Sequence, residues 1–161
     1  MPILTPERAL MYMRKTPVII KAILQGVTQE RAQQAIAGPD GWSVVEVMCH
    51  LRDWEEIFYE RTRMMLDSDN PRLPEYNQEE MAKTRAYASQ NLQATFDAYL
   101  SKRQALLALL SGLTDDQWRR TGIHPRMGDH NMIELAANVA LHDLNHIEQM
   151  VRALGDVEVT I

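Results

Sequence analysis

A single cysteine, Cys49, stands in 161 residues. That excludes an internal disulfide framework and fits a reducing compartment. Glycine and proline are sparse, seven of each, while Ala, Leu, Met, Glu, Gln and Arg are plentiful, a balance that favours helix over sheet. There is no run of roughly 18 apolar residues to span a bilayer. The opening stretch Met1-Pro2-Ile3-Leu4-Thr5-Pro6-Glu7-Arg8 also lacks the apolar core of a secretory signal. Positive charge is in deficit: 17 Lys and Arg stand against 22 Asp and Glu, for a net charge of −5. No basic stripe is present to meet phosphates, so nucleic acid is not an expected partner. What is present, 45% hydrophobic and 24% charged residues, is ordinary for a globular protein. The expectation is a soluble, cytoplasmic, all-α protein with one domain over residues 1–161, long enough to bury its own core.

Helix punctuation is legible along the chain. Thr5 before Pro6 and Glu7 reads as an N-cap with proline at the first helical position. Pro17 is expected to kink or interrupt that helix, because it has no N–H and clashes with the preceding turn. A second helical segment, about Val18 to Ile36, should end at the loop signal Gly38-Pro39-Asp40-Gly41. Ser43 and Glu46 form a capping box, with Trp42 placed as its hydrophobic staple. The helix they open should run to about Leu66, with Val47, Leu51, Trp54, Phe58 and Met65 on one stripe. Asp67 to Asn77, containing Pro71 and Pro74, is long for a bundle connection and reads as a lid, a rim or a mobile loop. Gln78 to Ala88 reads as a short helix and Leu92 to Leu110 as a longer one, with Phe96, Leu100, Leu107 and Leu110 facing inwards and Gly112 at its end. Thr114 and Gln117 cap a brief helix that presents Trp118. A polar loop should span Arg119 to His130. Asn131 and Glu134 then cap a last helix that stops at Gly155. Four long helices with short extras point to a four-helix bundle.

Three of the five histidines carry the chemistry. His142 and His146 are four residues apart, so on a helix they lie roughly 40° apart around the axis and can grip one ion from the same face. His50, on another helix, could complete a site with open coordination positions. On the last helix, Ile133, Ala140, Leu144, Ile147, Val151 and Leu154 make one apolar stripe. The histidines share a second face with Leu135, Val139 and Met150. Asn138 and Gln149 lie on that side and could orient an imidazole, as could Asp53 beside His50. Glu46 is already explained by its capping position. Asp143 points about 100° away from His142 and is expected to be structural, capping a helix or pairing on a neighbouring one. Cys49 reads as a small buried residue, and the ten methionines as core filler. His142-Asp143-x-x-His146 also matches a zincin motif with Asp in place of Glu, but Glu148, Asp156 and Glu158 are badly placed to be its third ligand. His124 and His130 read as loop histidines that could approach the site.

With Trp42-Ser43-x-x-Glu46-x-x-x-His50-Leu51, the loop His124-Pro125-Arg126-x-Gly128 and the closing His142-Asp143-x-x-His146-x-x-Gln149, the chain resembles the DinB-like superfamily from about Pro17 to Leu154. The resemblance implies a four-helix bundle that holds a divalent metal, often zinc or nickel, on His50, His142 and His146, and frequent homodimers. Relatives include metal-dependent transferases that use low-molecular-weight thiols such as bacillithiol or mycothiol, and candidate metal-dependent hydrolases. The leading expectation is therefore an ion that activates a small thiol for S-transfer to an electrophile. The same ion acting on water gives the hydrolase alternative. A non-catalytic bundle that binds metal or a small ligand as a dimer is the other.

Overall fold

A computed structural model describes residues 4–37 and 41–155. In chain order its elements are α1 (Pro6–Leu24), α2 (Gln29–Gln34), β1 (Ile36–Ala37), β2 (Trp42–Ser43), α3 (Val44–Asp67), α4 (Gln78–Thr84), a 3₁₀ turn (Tyr87–Ser89), α5 (Leu92–Ser111), α6 (Asp115–Trp118), β3 (Thr121–His124), β4 (Gly128–Asn131) and α7 (Met132–Leu154). The long helices α1, α3, α5 and α7 make a four-helix bundle in which α3 packs on α5 and α7, and α1 on α7 and α5. None of the helices in the described residues is long and apolar enough to cross a membrane.

The caps form where the local spacing placed them. Thr5 accepts from the N–H of Arg8. Reciprocal capping boxes join Ser43 with Glu46, Thr114 with Gln117, and Asn131 with Glu134. Gly155 closes α7 at φ 80°, a conformation that glycine adopts without a Cβ penalty.

Two expectations are corrected. First, α1 runs unbroken through Pro17. Proline at position 17 leaves the Met13 carbonyl without its i+4 donor, and Arg103 Nη1 supplies one instead at 2.8 Å. The real break comes at Gly26, φ 79°. Beyond it the expected helix to Ile36 is only the short α2, followed by β1 paired with β2 in the register Ile36↔Ser43. The turn residues Gly38, Pro39 and Asp40 lie outside the described residues. Second, Arg119–His130 is a hairpin, with β3 and β4 paired from Thr121↔Asn131 to His124↔Gly128. Of the roles expected for the loop after α3, a rim fits, since the loop is pinned to that hairpin: the Leu73 N–H donates to the Ile123 carbonyl at 2.9 Å, and the Ile123 N–H to the Pro71 carbonyl at 2.8 Å. The segment Gln78 to Ala88 divides into α4 and the 3₁₀ turn, with Ala86 at φ 48° between them.

Two apolar clusters stack along the bundle. One gathers Ile20, Val47, Met48, Leu51, Tyr99 and Ile147; the other gathers Met13, Phe58, Leu106, Leu135, Val139 and Ala140. On each long helix a polar side chain marks the boundary: Thr16, Glu55, Arg103 and Asp143. All four are buried. Arg103 donates to Glu55 through Nε at 2.8 Å and Nη2 at 2.5 Å, to Asp143 at 2.7 Å and to Thr16 at 3.1 Å. Tyr99 adds a bond to Asp143 at 3.2 Å, and Thr16 donates to the same carboxylate oxygen. This layer ties all four helices together at one level. Removing one partner would strand a buried charge, which is far costlier than never burying the group.

Candidate metal centre

His50 enters from α3, two turns beyond the capping box that sets where that helix begins. Its ring is 2% exposed and stands between Trp42 and Trp54, with ring centroids 5.0 and 5.5 Å away. His142 and His146 come from one face of α7, both half-buried. The three rings converge, with centroid separations of 5.0 Å for His50–His142, 4.6 Å for His50–His146 and 4.6 Å for His142–His146. One nitrogen from each lies within 4.8 Å of the others, and among the described residues this is the cluster that could hold a metal ion.

Two tests show that these side chains fit a divalent ion. An ion bound tetrahedrally at about 2.0–2.1 Å wants its nitrogens roughly 3.3 Å apart, and His50 Nε2 lies 3.0 Å from His142 Nε2. The His50 and His142 rings also favour the neutral, ligating form. Burial pushes His50 down to about 2, with the neighbouring His146 adding to the effect. His142 is pushed well below its ordinary value by the same desolvation, then by His146 and His50. A neutral imidazole presents a lone pair, which is what a metal requires.

Gln149 lies beside the cluster as expected, its Oε1 2.8 Å from His146 Nδ1. Such a bond orients a ligand ring and selects its tautomer. Asn138 sits on α7 one turn before His142, part-buried, and makes no hydrogen bond to a histidine among the described residues. Asp53 lies near enough to His50 for its charge to act on that ring. It is buried beside His50 but turned to other partners: Arg52 Nε at 2.7 Å, the Tyr87 hydroxyl at 2.6 Å and Arg85 at 2.9 Å. Glu46 accepts from the Ser43 N–H at 2.8 Å, its capping role. Asp143 pairs across the bundle with Arg103. Cys49 is buried, its thiol pushed up to about 11 by desolvation. Glu148 pairs with Arg152 along α7, while Asp156 and Glu158 lie outside the described residues. His124 and His130 belong to the hairpin, their rings 6.0 Å apart, and neither joins the three-histidine cluster.

The second face of α7 proves the more buried one. Leu135, Val139 and Met150 are each at most 1% exposed, whereas Leu144 on the other stripe is 53% exposed. Two residues beside the site escaped the sequence reading, the buried arginines Arg103 and Arg61. Both occupy steps of an apolar stripe at helical spacing: Trp54, Phe58, Arg61, Met65 on α3, and Leu100, Arg103, Leu107 on α5. An arginine in such a gap is the signal that could have revealed them.

The family model described as the DinB superfamily matches residues 13–150. The chain belongs to the DinB superfamily. A curated relative from Bacillus subtilis (strain 168), YfiT, named as a candidate metal-dependent hydrolase, is 24% identical over 119 residues, 71% of this chain and 67% of its own. A second protein so named, from Oceanobacillus iheyensis, is 20% identical over 115 residues, 71% of this chain and 66% of its own. The chain thus spans about two thirds of the length of these relatives. Among solved structures, YfiT, described as having an unusual four-helix bundle topology, superposes with a TM-score of 0.79 at 21% identity, over 93% of this chain and 87% of that one. A mycothiol-dependent maleylpyruvate isomerase superposes with a TM-score of 0.76 at 12% identity, over 91% of this chain and 61% of that one. These likenesses confirm the all-α four-helix bundle.

Proposed function

We propose that the chain is a cytoplasmic metal-dependent enzyme that activates a low-molecular-weight thiol for S-transfer to a small electrophile. A divalent ion, zinc or nickel, would be held by His50, His142 and His146. The observation that carries this reading is the convergence of three imidazoles from two helices while the neighbouring carboxylates are engaged elsewhere. Three protein ligands leave room on an ion for an exogenous one, the arrangement of catalytic centres. When bound, the ion lowers the pKa of a thiol or water that it holds.

The side chains of this chain do the rest. Gln149 holds His146, while the Trp54 and Phe58 rings, 5.1 and 5.8 Å from that of His142, keep water from one side of the centre. A thiol, with a pKa of about 8.5, needs only a small shift to ionise near neutrality. Water starts near 15.7, and its attack is commonly helped by a nearby base. The capping and charge-paired roles of Glu46, Asp53 and Asp143 supply no such base, which favours the thiol.

Hydrolysis is the second reading, favoured by the names of the two curated relatives. The expected homodimer finds support in exposed apolar residues on α1 (Met11, Val18, Ile19) and α7 (Leu141, Leu144). The test is metal-loaded protein incubated with an activated alkyl halide and bacillithiol, mycothiol or cysteine. Metal-dependent thiol consumption is the expected result. Cleavage of activated esters without any thiol effect would replace transfer by hydrolysis, and neither activity in metal-loaded protein would leave a binding bundle.

A further inference from the structure

Arg61 carries a full positive charge into the interior, and among the described residues no carboxylate meets it. Its side chain is 1% exposed. The guanidinium carbon lies 5.5 Å from the Trp54 ring and 5.7 Å from the Tyr76 ring. Nη2 donates to the Pro74 carbonyl at 2.8 Å, and Nε has no acceptor. Arg103, buried to the same degree, has two carboxylates. A buried cation without a counter-ion is strongly disfavoured, so its retention calls for an anion from outside the chain.

His124 sharpens the point. The backbone N–H groups of Arg126 and Met127 both donate to its Nδ1, each at 3.2 Å. Nδ1 therefore carries the lone pair, and the neutral ring keeps its proton on Nε2. That nitrogen lies 3.2 Å from Arg61 Nη1. With that tautomer two N–H groups face each other, and an acceptor shared between them would satisfy both. A third donor, the buried indole N–H of Trp54, also lacks an acceptor. All three residues line one cavity of about 690 Å³, with Tyr76, Asn77 and Arg126.

We propose that this cavity binds the carboxylate of a small organic acid, received by Arg61 and His124 with the Trp54 indole as a further donor. One unpaired charge matches a monoanion. A dianionic phosphate is disfavoured by the acidic lining, which includes Glu79 and Glu75, the latter paired with Arg126 at 2.9 Å. Trp54 is the shared wall: its ring lies 5.1 Å from that of His142 and 5.5 Å from that of His50. A carboxylate on Arg61 would thus anchor an electrophilic acid across the Trp54 ring from the three histidines. That role as substrate anchor rests on the metal-dependent reading; the anion site itself does not.

The test is NMR titration of the ¹⁵N-labelled protein with benzoate, with benzamide (its uncharged counterpart) and with inorganic phosphate, at constant ionic strength. Benzoate should shift the Trp54 indole resonance saturably, leaving those of Trp42 and Trp118 in place. Benzamide should bind at least about tenfold more weakly, and Arg61→Gln should weaken benzoate by a similar factor. Should Arg61→Gln not fold, the comparison of benzoate with benzamide on the unaltered protein decides alone. Absence of a saturable shift, equal binding of benzamide, tighter binding of phosphate, or full benzoate affinity in folded Arg61→Gln would each overturn the proposal. His50→Ala separates the two sites. Benzoate binding should survive in it, whereas loss from the folded variant would mean that the histidine centre had captured the ligand. Benzoate binding to a protein that takes up no metal would keep this site and end the metal reading.

Discussion

Arg103 Nη1 donates to the Met13 carbonyl oxygen at 2.8 Å, at the turn of α1 where Pro17 leaves that oxygen without an N–H. A proline inside a helix normally kinks or breaks it. Here the orphaned carbonyl becomes one of the acceptors that hold a buried guanidinium between four helices.

Arg103→Met should therefore cost about 3–5 kcal/mol, because Glu55 and Asp143 are left as buried charges without their cation. Pro17→Ala restores an N–H to the Met13 carbonyl. In that background the cost of Arg103→Met should fall by about 1 kcal/mol, the worth of one hydrogen bond. Urea unfolding of the four proteins measures the coupling; strict additivity would contradict it.

Two buried carboxylates should respond to acid in opposite directions. Burial pushes Glu55 above its ordinary 4.5 despite its bonds to Arg103, with the Asp143 charge adding to the rise. Its contribution to stability is full below 4.5 and is lost as pH rises through the higher folded value. Burial also pushes Asp53 upward, but hydrogen bonds from Arg52 and Tyr87 and the charges of Arg52 and Arg85 hold it below 3.8. Its contribution is present above 3.8 and is lost as pH falls through the lower folded value. Melting temperatures against pH should show wild type gaining on Glu55→Gln as the medium is acidified towards 4.5. Its advantage over Asp53→Asn should instead shrink below about 3.8.

Gln149 and Asp53 should differ just as clearly in metal binding. Gln149→Leu removes the partner of His146 Nδ1 and should weaken metal affinity roughly 10–100-fold with little change in melting temperature. Asp53→Asn should leave affinity unchanged, because its carboxylate serves Arg52, Arg85 and Tyr87. Competition with a chromogenic chelator measures both. An equal loss in the two variants would show that Asp53 acts on the centre after all.

What the sequence disclosed followed the range of the interactions. Capping boxes such as Ser43–Glu46 and Asn131–Glu134 close over three residues, so the starts of α3 and α7, and with them the placement of all three histidines, could be read directly. The interruption expected at Pro17 does not occur, and its compensation, Arg103, is remote in sequence and reaches it only through the packing of α5 on α1. The β3–β4 hairpin was missed because its residues show no alternation of apolar and polar types. It is held by backbone pairing with its own return strand and with the loop at Pro71 to Leu73. Asp53 was legible as a neighbour of His50, but two of its three partners, Arg85 just after α4 and Tyr87 in the 3₁₀ turn, are remote from it in sequence. Arg61 remained hidden for the opposite reason. Its spacing placed it in the core, where an arginine is not expected unless paired.

The central claim is that His50, His142 and His146 hold one ion. Elemental analysis of the chain purified without a metal-affinity tag, side by side with His50→Ala, tests it most directly. The expected result is about one equivalent of a divalent metal per chain in the wild type, and its loss from His50→Ala with the helical circular-dichroism signal retained. A folded wild type that takes up no metal from supplemented medium, or a His50→Ala variant that keeps its ion at full affinity, would contradict the claim.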